Sequence, residues 1–277
     1  MISILLSRDK QLFKLTKLVR EYSTKLEHLS LTSKKVLITG GSSGIGYAIA
    51  HRFATEGASC FILGRSFERS EKASSKLPIL SSSMQSHGAI QLDVSTVLRP
   101  WTEVDLGLDP AAIDIVVNAA GITQSKLLCL MNSEEIDRII RTNLLGTIYS
   151  CRTFARAMMR SKSDKSIINI SSILSAQAGR GSVVYSASKA GIEGLTTALA
   201  LELGSKHVRV NAIQPGLIQT DMLDEHVSKS ARQEFINRVP ARREGLPGEV
   251  AHAALFLATN RYINGSILNV DGGFSIS

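Results

Sequence analysis

From residue 34 onward, short apolar runs alternate with longer stretches whose apolar residues recur every three or four positions. The runs are KKVLITG (34–40), SCFILG (59–64), AIQLDV (89–94), IDIVVNAAG (113–121), SIINISS (166–172), VRVNAIQPG (208–216) and SILNVDGG (266–273). Their apolar positions are consecutive rather than alternating, which predicts strands buried on both faces. Between them, 44–58, 134–162, 183–204 and 249–258 carry the helical spacing. A parallel neighbour in a sheet is reached only through a crossover, so strands separated by helices predict a parallel arrangement. The expected fold is therefore α/β: a single doubly wound Rossmann-type domain with a seven-stranded, mostly parallel sheet and helices on both faces. The pattern is weakest at 95–112, where Pro100, Gly107 and Pro110 interrupt the expected crossover helix.

Upstream of the alternation the pattern changes. In MISILLSRDKQLFKLTKLVREY (1–22), Leu12, Leu15, Val19 and Tyr22 share one helical face, while Arg8, Lys10, Lys14, Lys17 and Arg20 outnumber Asp9 and Glu21. A basic amphipathic start of this kind predicts a mitochondrial transit peptide over 1–22, cut near Tyr22–Ser23, then a linker at 23–33 and a catalytic domain over 34–277. The chain carries +8 overall, of which about +5 remains without that segment, too little to argue for nucleic acid. No apolar run reaches the length of a membrane span. Cys60, Cys129 and Cys151 are widely spaced, form no zinc-type pattern and read as reduced, buried thiols.

Chemistry enters at three places. TGGSSGIG (39–46) stands where the first strand turns into the first helix, and such a turn brings backbone N–H groups and a helix N-terminus to a pyrophosphate. At the end of the second strand, LGRS carries Arg65 where an acidic residue would select NAD, so a 2′-phosphate and hence NADPH are favoured. YSASK (185–189) then places Tyr185 and Lys189 at i and i+4, on one face of the long helix. A lysine ammonium there would favour the phenolate and lower a tyrosine pKa from about 10.

TGGSSGIG, NAAG (118–121), Asn143, Ser172, YSASK and PG (215–216), in this order, resemble the short-chain dehydrogenase/reductase family from about residue 34 to the C-terminus. The resemblance implies a catalytic set of Asn143, Ser172, Tyr185 and Lys189. Ser172 would donate to the substrate oxygen, and Asn143 would hold a water that links Lys189 to solvent. It further implies a cofactor site built from Gly40, Ser42, Ser43, Gly44, Ile45, Gly46, Arg65, Asp93, Val94, Asn118, Ala119, Gly121, Tyr185, Lys189, Pro215, Gly216, Ile218 and Thr220. Asp93 and Val94 would take the adenine side, and Ile218 and Thr220 the nicotinamide carboxamide.

Beyond these motifs, AGITQSKLL (120–128), MNSEEIDRIIRTNLLGT (131–147) and VPARREGLPGEVAHAALFLA (239–258) look like 3-oxoacyl-(acyl-carrier-protein) reductases, the fungal mitochondrial form in particular. That resemblance implies NADPH-dependent reduction of a carrier-bound 3-oxoacyl thioester, a homotetramer in the mitochondrial matrix, and a mobile cover at 221–235. An acidic carrier protein calls for a basic docking surface, here Arg160, Lys162, Lys165 and Lys206. Two other readings stand beside it: a carbonyl, quinone or steroid reductase acting on free small molecules, and a non-catalytic NADP(H)- or RNA-binding mitochondrial subunit.

Overall fold

In the computed structural model, residues 31–80, 84–97, 99–177 and 179–277 are described, and the expected transit peptide and most of the linker lie outside them. The strands are β1 (Lys35–Thr39), β2 (Ser59–Gly64), β3 (Gly88–Gln91), β4 (Ile115–Asn118), β5 (Lys165–Ile170), β6 (Val208–Pro215) and β7 (Ile267–Val270). They form one sheet in the order β3-β2-β1-β4-β5-β6-β7, and every pairing is parallel. The helices are α1 (Gly44–Thr55), α2 (Phe67–Ser74), α3 (Glu103–Leu106), α4 (Ser133–Ile139), α5 (Gly146–Met158), α6 (Val183–Leu203), α7 (Asp221–His226), α8 (Lys229–Arg238) and α9 (Pro247–Thr259).

Alternation along β1 shows why helices are needed on both faces. Val36 and Ile38 join Ile49 and Phe53 of α1 and Val250 and Ala254 of α9 in one buried cluster. Leu37, between them, joins Phe154 and Met158 of α5 and Ala200 and Leu203 of α6 in the other. Three connections differ from expectation. Leu31, placed in the linker by sequence, is buried in the first cluster and donates its N–H to Glu56 O at 2.8 Å. Between β3 and β4 no long crossover helix forms; α3 is one turn, closed by Gly107 at φ +64°. Trp101 fills the space instead, edge-on to Phe154 at 6.3 Å, with its backbone N–H on Thr153 Oγ1 at 2.7 Å. Finally, the stretch expected as one helix over 134–162 is α4 and α5 joined by a π-helical turn, Ile140–Leu145.

A parallel sheet aligns all strand C-termini along one edge. The order reverses direction about β1, with β2 on one side and β4 on the other, so a crevice opens at that edge between them. The glycine turn, Arg65, Asp93, the 119–121 loop, Ser172 and Gly216 all follow the C-terminal ends of strands.

Candidate active site

The turn after β1 is shaped by what it excludes. Gly40 has φ +66°, and a Cβ there would stand 2.7 Å from Ala120 Cα. A Cβ on Gly46 would stand 2.3 Å from Gly40 O, so neither position admits a larger residue without moving backbone. Ser43 caps α1 without a side-chain hydrogen bond, and the first turn of α1 carries no acidic residue. Ser42 and Ser43 thus lead into the first turn of a twelve-residue helix, whose N–H groups at Gly44, Ile45 and Gly46 open on a cradle that a side chain would fill, which fits a pyrophosphate. Ile45 leans on the core behind it. Gly44, at φ +52°, faces Thr220 Cγ2, so the segment after β6 closes over the turn.

The other expected cofactor residues divide by side-chain placement. Arg65 is exposed just past β2, its carbonyl accepting from Gln91 Nε2 at 3.2 Å. Asp93 follows β3 and its Oδ1 accepts from Ser95 N and Ser95 Oγ at 2.9 and 2.7 Å. Ala119 and Gly121 lie in the loop against Gly40, and Gly216 packs on Asp271 next to Pro215, the last residue of β6. Three side chains turn inward. Asn118 donates to Asn169 Oδ1 at 2.8 Å. Val94 is buried against Gly146, and Ile218 is buried in the α1 and α9 cluster. The expected roles of Asn118, Val94 and Ile218 at the cofactor therefore fall to their backbone groups.

The catalytic candidates converge from three elements. Ser172 follows β5, and its Oγ accepts from Leu174 N at 3.2 Å. Tyr185 and Lys189 stand one turn apart on α6, with Lys189 Nζ 5.7 Å from the phenol ring centroid. Lys189 is buried and donates to Ile170 O at 2.8 Å. Burial pushes the Tyr185 pKa up, while the Ser172 hydrogen bond pulls the other way. Burial also lowers the Lys189 ammonium to about 8. The expected lowering of the tyrosine by its lysine is not what dominates: desolvation of the phenol wins, and the resting phenol keeps its proton. That suits a proton donor.

Asn143 lies in the π turn, and its side chain is fully engaged. Its Oδ1 accepts from Ile122 N at 2.8 Å, and its Nδ2 donates to Ile122 O at 3.0 Å and to Ser188 Oγ at 3.1 Å. It therefore ties the 119–122 loop to α6 with its amide. A Cβ on Gly121 would stand 3.4 Å from Asn143 Oδ1 and 3.5 Å from Lys189 Nζ, so these groups gather around one point. The sequence reading missed Gln124, whose Oε1 accepts from Val184 N and Tyr185 N at 2.8 and 3.1 Å. Ser182, the cap residue, makes no such bond, so Gln124 supplies the cap one residue from the catalytic phenol. A glutamine sixty residues away in the chain gives no local cue.

Residues 40–275 match the family profile described as enoyl-(acyl carrier protein) reductase. The chain belongs to the short-chain dehydrogenase/reductase family. This family member is 41% identical over 248 residues to a 3-oxoacyl-(acyl-carrier-protein) reductase of Chlamydia muridarum, covering 88% of this chain and 98% of that one. It is 35% identical to the reductase of the same name from Rattus norvegicus, over 88% of this chain and 99% of that one. Among solved structures it is similar to an Agrobacterium tumefaciens protein with bound NADP, described as a 2-deoxy-D-gluconate 3-dehydrogenase (TM-score 0.80, 31% identity, 91% of this chain and 100% of that one). It is also similar to a Brucella melitensis 3-ketoacyl-(acyl-carrier-protein) reductase complexed with NADH (TM-score 0.77, 29% identity, 89% and 100%). As a short-chain dehydrogenase/reductase, the chain is an oxidoreductase.

The remaining sequence-level expectations resolve on the surface. Lys165 is buried, donating to Asp114 Oδ1 at 3.0 Å and Ile113 O at 3.1 Å, and is unavailable for docking. Its charge anchors the start of β5. Arg160, Lys162 and Lys206 are exposed. Cys60 and Cys151 are buried, with burial pushing each thiol up to about 12, but Cys129 is exposed. Among the described residues no helix is long and apolar enough to cross a membrane, and no group of three or more His, Cys, Asp or Glu is placed to hold a metal.

Proposed function

We propose that this enzyme reduces 3-oxoacyl thioesters of acyl carrier protein to 3-hydroxyacyl thioesters with NADPH, in mitochondrial fatty acid synthesis. The observation that carries the reading is the meeting of Tyr185 with Ser172 and Lys189 beside a glycine cradle. Relatives named for this reaction, 35–41% identical, support the substrate class. A mitochondrial setting draws support from the basic amphipathic start of the chain.

Gly40, Ser42, Ser43, Gly44 and Gly46 would hold the pyrophosphate, and Arg65 a 2′-phosphate. Bound there, the nicotinamide supplies the hydride that reduces the carbonyl carbon. Ser172 donates a hydrogen bond to the carbonyl oxygen, and Tyr185 transfers its phenolic proton to the same oxygen as it gains charge. Lys189, with a pKa lowered to about 8, exchanges protons near neutral pH and can restore the phenol. Asn143 keeps the loop and helix in register around Lys189 while this occurs. Arg65→Ala should weaken NADPH binding about tenfold and leave NADH unchanged, the loss of one charge-assisted contact.

Docking of an acidic carrier on Arg160, Lys162 and Lys206 puts it at the N-terminal ends of β5 and β6. Ser172 lies past the other end of β5, about 20 Å away along six strand residues. A carrier on this patch therefore serves the site of another copy, as a homotetramer would allow. A second reading, reduction of free ketones, is favoured by 36% identity to a Danio rerio carbonyl reductase family member 4. NADPH oxidation by the full chain with acetoacetyl carrier thioester, set against free ketones, separates the two. Turnover of free ketones alone would remove the carrier reading.

A further inference from the structure

Ser172 and Tyr185 stand on different elements, yet both must meet one substrate oxygen, where a displacement of about 1 Å costs on the order of a hundredfold in rate. Glu193, on α6 two turns beyond Tyr185, links the elements that carry them. Its Oε1 accepts from Ser171 Oγ at 2.7 Å and from Gln214 Nε2 at 2.8 Å, and is also bonded to the Ser175 hydroxyl. Ser171 and Ser175 bracket Ser172 in the turn after β5. Ser175 Oγ in addition lies 2.6 Å from Ser172 O and receives Gln214 Nε2 at 2.8 Å. Gln214 is the residue before Pro215, at the end of β6. Ser171 and Gln214 are buried, so without the carboxylate their donors lose a partner that water does not readily replace.

We propose that Glu193 is a positioning residue for the reduction: one carboxylate oxygen clamps α6, the Ser171–Ser175 turn and the end of β6, and so sets the separation of Ser172 from Tyr185. The proposal rests on the assignment of those two as the hydrogen-bond and proton donors. Glu193 bonds the residues that bracket Ser172 and acts through the backbone on either side of it. A bond to Ser171 and Ser175 without Gln214 would hold the turn to α6 alone. Gln214 adds the strand whose next residues, Pro215 and Gly216, begin the segment that closes on Gly44 through Thr220. An apolar residue at 193 would leave three donors facing it.

The test uses the full chain with Glu193→Ala and Glu193→Gln, acetoacetyl carrier thioester and NADPH. Thermal unfolding and NADPH binding followed by fluorescence are measured on the same samples. Glu193→Ala should lower kcat about thirtyfold or more while KM and the NADPH Kd stay within about threefold, because alignment rather than binding is lost. Glu193→Gln keeps an acceptor oxygen and should restore kcat to within about fivefold of the parent. Should Glu193→Ala not fold, Ser171→Ala and Gln214→Ala each remove one donor and should each lower kcat severalfold with KM unchanged. The proposal is overturned if the folded alanine variant keeps its kcat, if the glutamine variant is as slow as the alanine one, or if the loss only tracks unfolding. Tyr185→Phe is run in parallel. Unchanged turnover in that variant would sink the proton-donor assignment itself, whatever Glu193→Ala does.

Discussion

Two helical regions, α6 and α8, are built on opposite terms. α6 buries Val184, Ser188, Lys189, Ile192 and Thr196 and is bonded to the 119–122 loop, to β5 and to the turn after it. α8 buries no residue fully. It is held by Arg232, which pairs with Asp224 of α7 and with Glu244 at 2.6 Å, and by Phe235 stacked on Phe274 at 4.3 Å. A bidentate, largely shielded Arg232–Glu244 pair and one ring stack are the main ties of α8, whereas moving α6 would strand several buried polar groups. The fixed side matches what proton transfer needs, which is constant distances.

Ser172→Ala breaks the fixed side most directly. It removes the hydrogen bond to the carbonyl oxygen and should lower kcat about a hundredfold or more with little change in NADPH affinity, as steady-state kinetics would show. Next comes the cradle. Gly46→Val puts side-chain atoms on Gly40 O and should raise the NADPH Kd more than about tenfold and lower the Tm, read by titration and thermal unfolding.

Lys189→Met sharpens the account of burial through pH. The native lysine has a pKa lowered from 10.5 to about 8, so the fold favours its neutral form. The stability this gives is complete above about pH 10.5 and is lost as pH falls through 8. Against Lys189→Met, the parent should therefore lose about 3 kcal/mol between pH 10.5 and 7, measured by denaturant unfolding. A difference that does not change with pH would contradict the burial account. The smallest effect on turnover is expected at α8: Arg232→Ala removes its pairs with Asp224 and the largely shielded Glu244 and should lower the Tm while leaving kcat within about twofold, read by thermal unfolding and steady-state kinetics. A loss in kcat as large as that of Ser172→Ala would erase the contrast between the two regions.

The strands were legible because each buried run is continuous and bounded; SCFILG is β2 to the residue. The cradle and the Tyr185–Lys189 pair were legible because their spacing along the chain is their geometry. What stayed hidden depended on partners distant in sequence. Lys165 looks like a surface cation until Asp114, a neighbour only across β4 and β5, neutralises it. Asn118 follows an apolar run like a cofactor residue, yet its strand parity turns it toward Asn169 and the helix layer. The π turn at Ile140–Leu145 keeps helical spacing on either side, so periodicity alone shows one helix. Gln124 and Glu193 act by tertiary bonds sixty and about twenty residues long in sequence separation, and no local pattern marks them.

The most direct test of the central claim is the rate of NADPH oxidation by Tyr185→Phe with acetoacetyl carrier thioester, at a pH where the parent phenol is protonated. The account predicts a fall of about a thousandfold in kcat with the fold and NADPH binding retained, because the phenylalanine keeps the ring and loses only the hydroxyl that gives the proton. A variant that turns over within a few-fold of the parent would contradict it, and would move the proton donor elsewhere in the crevice.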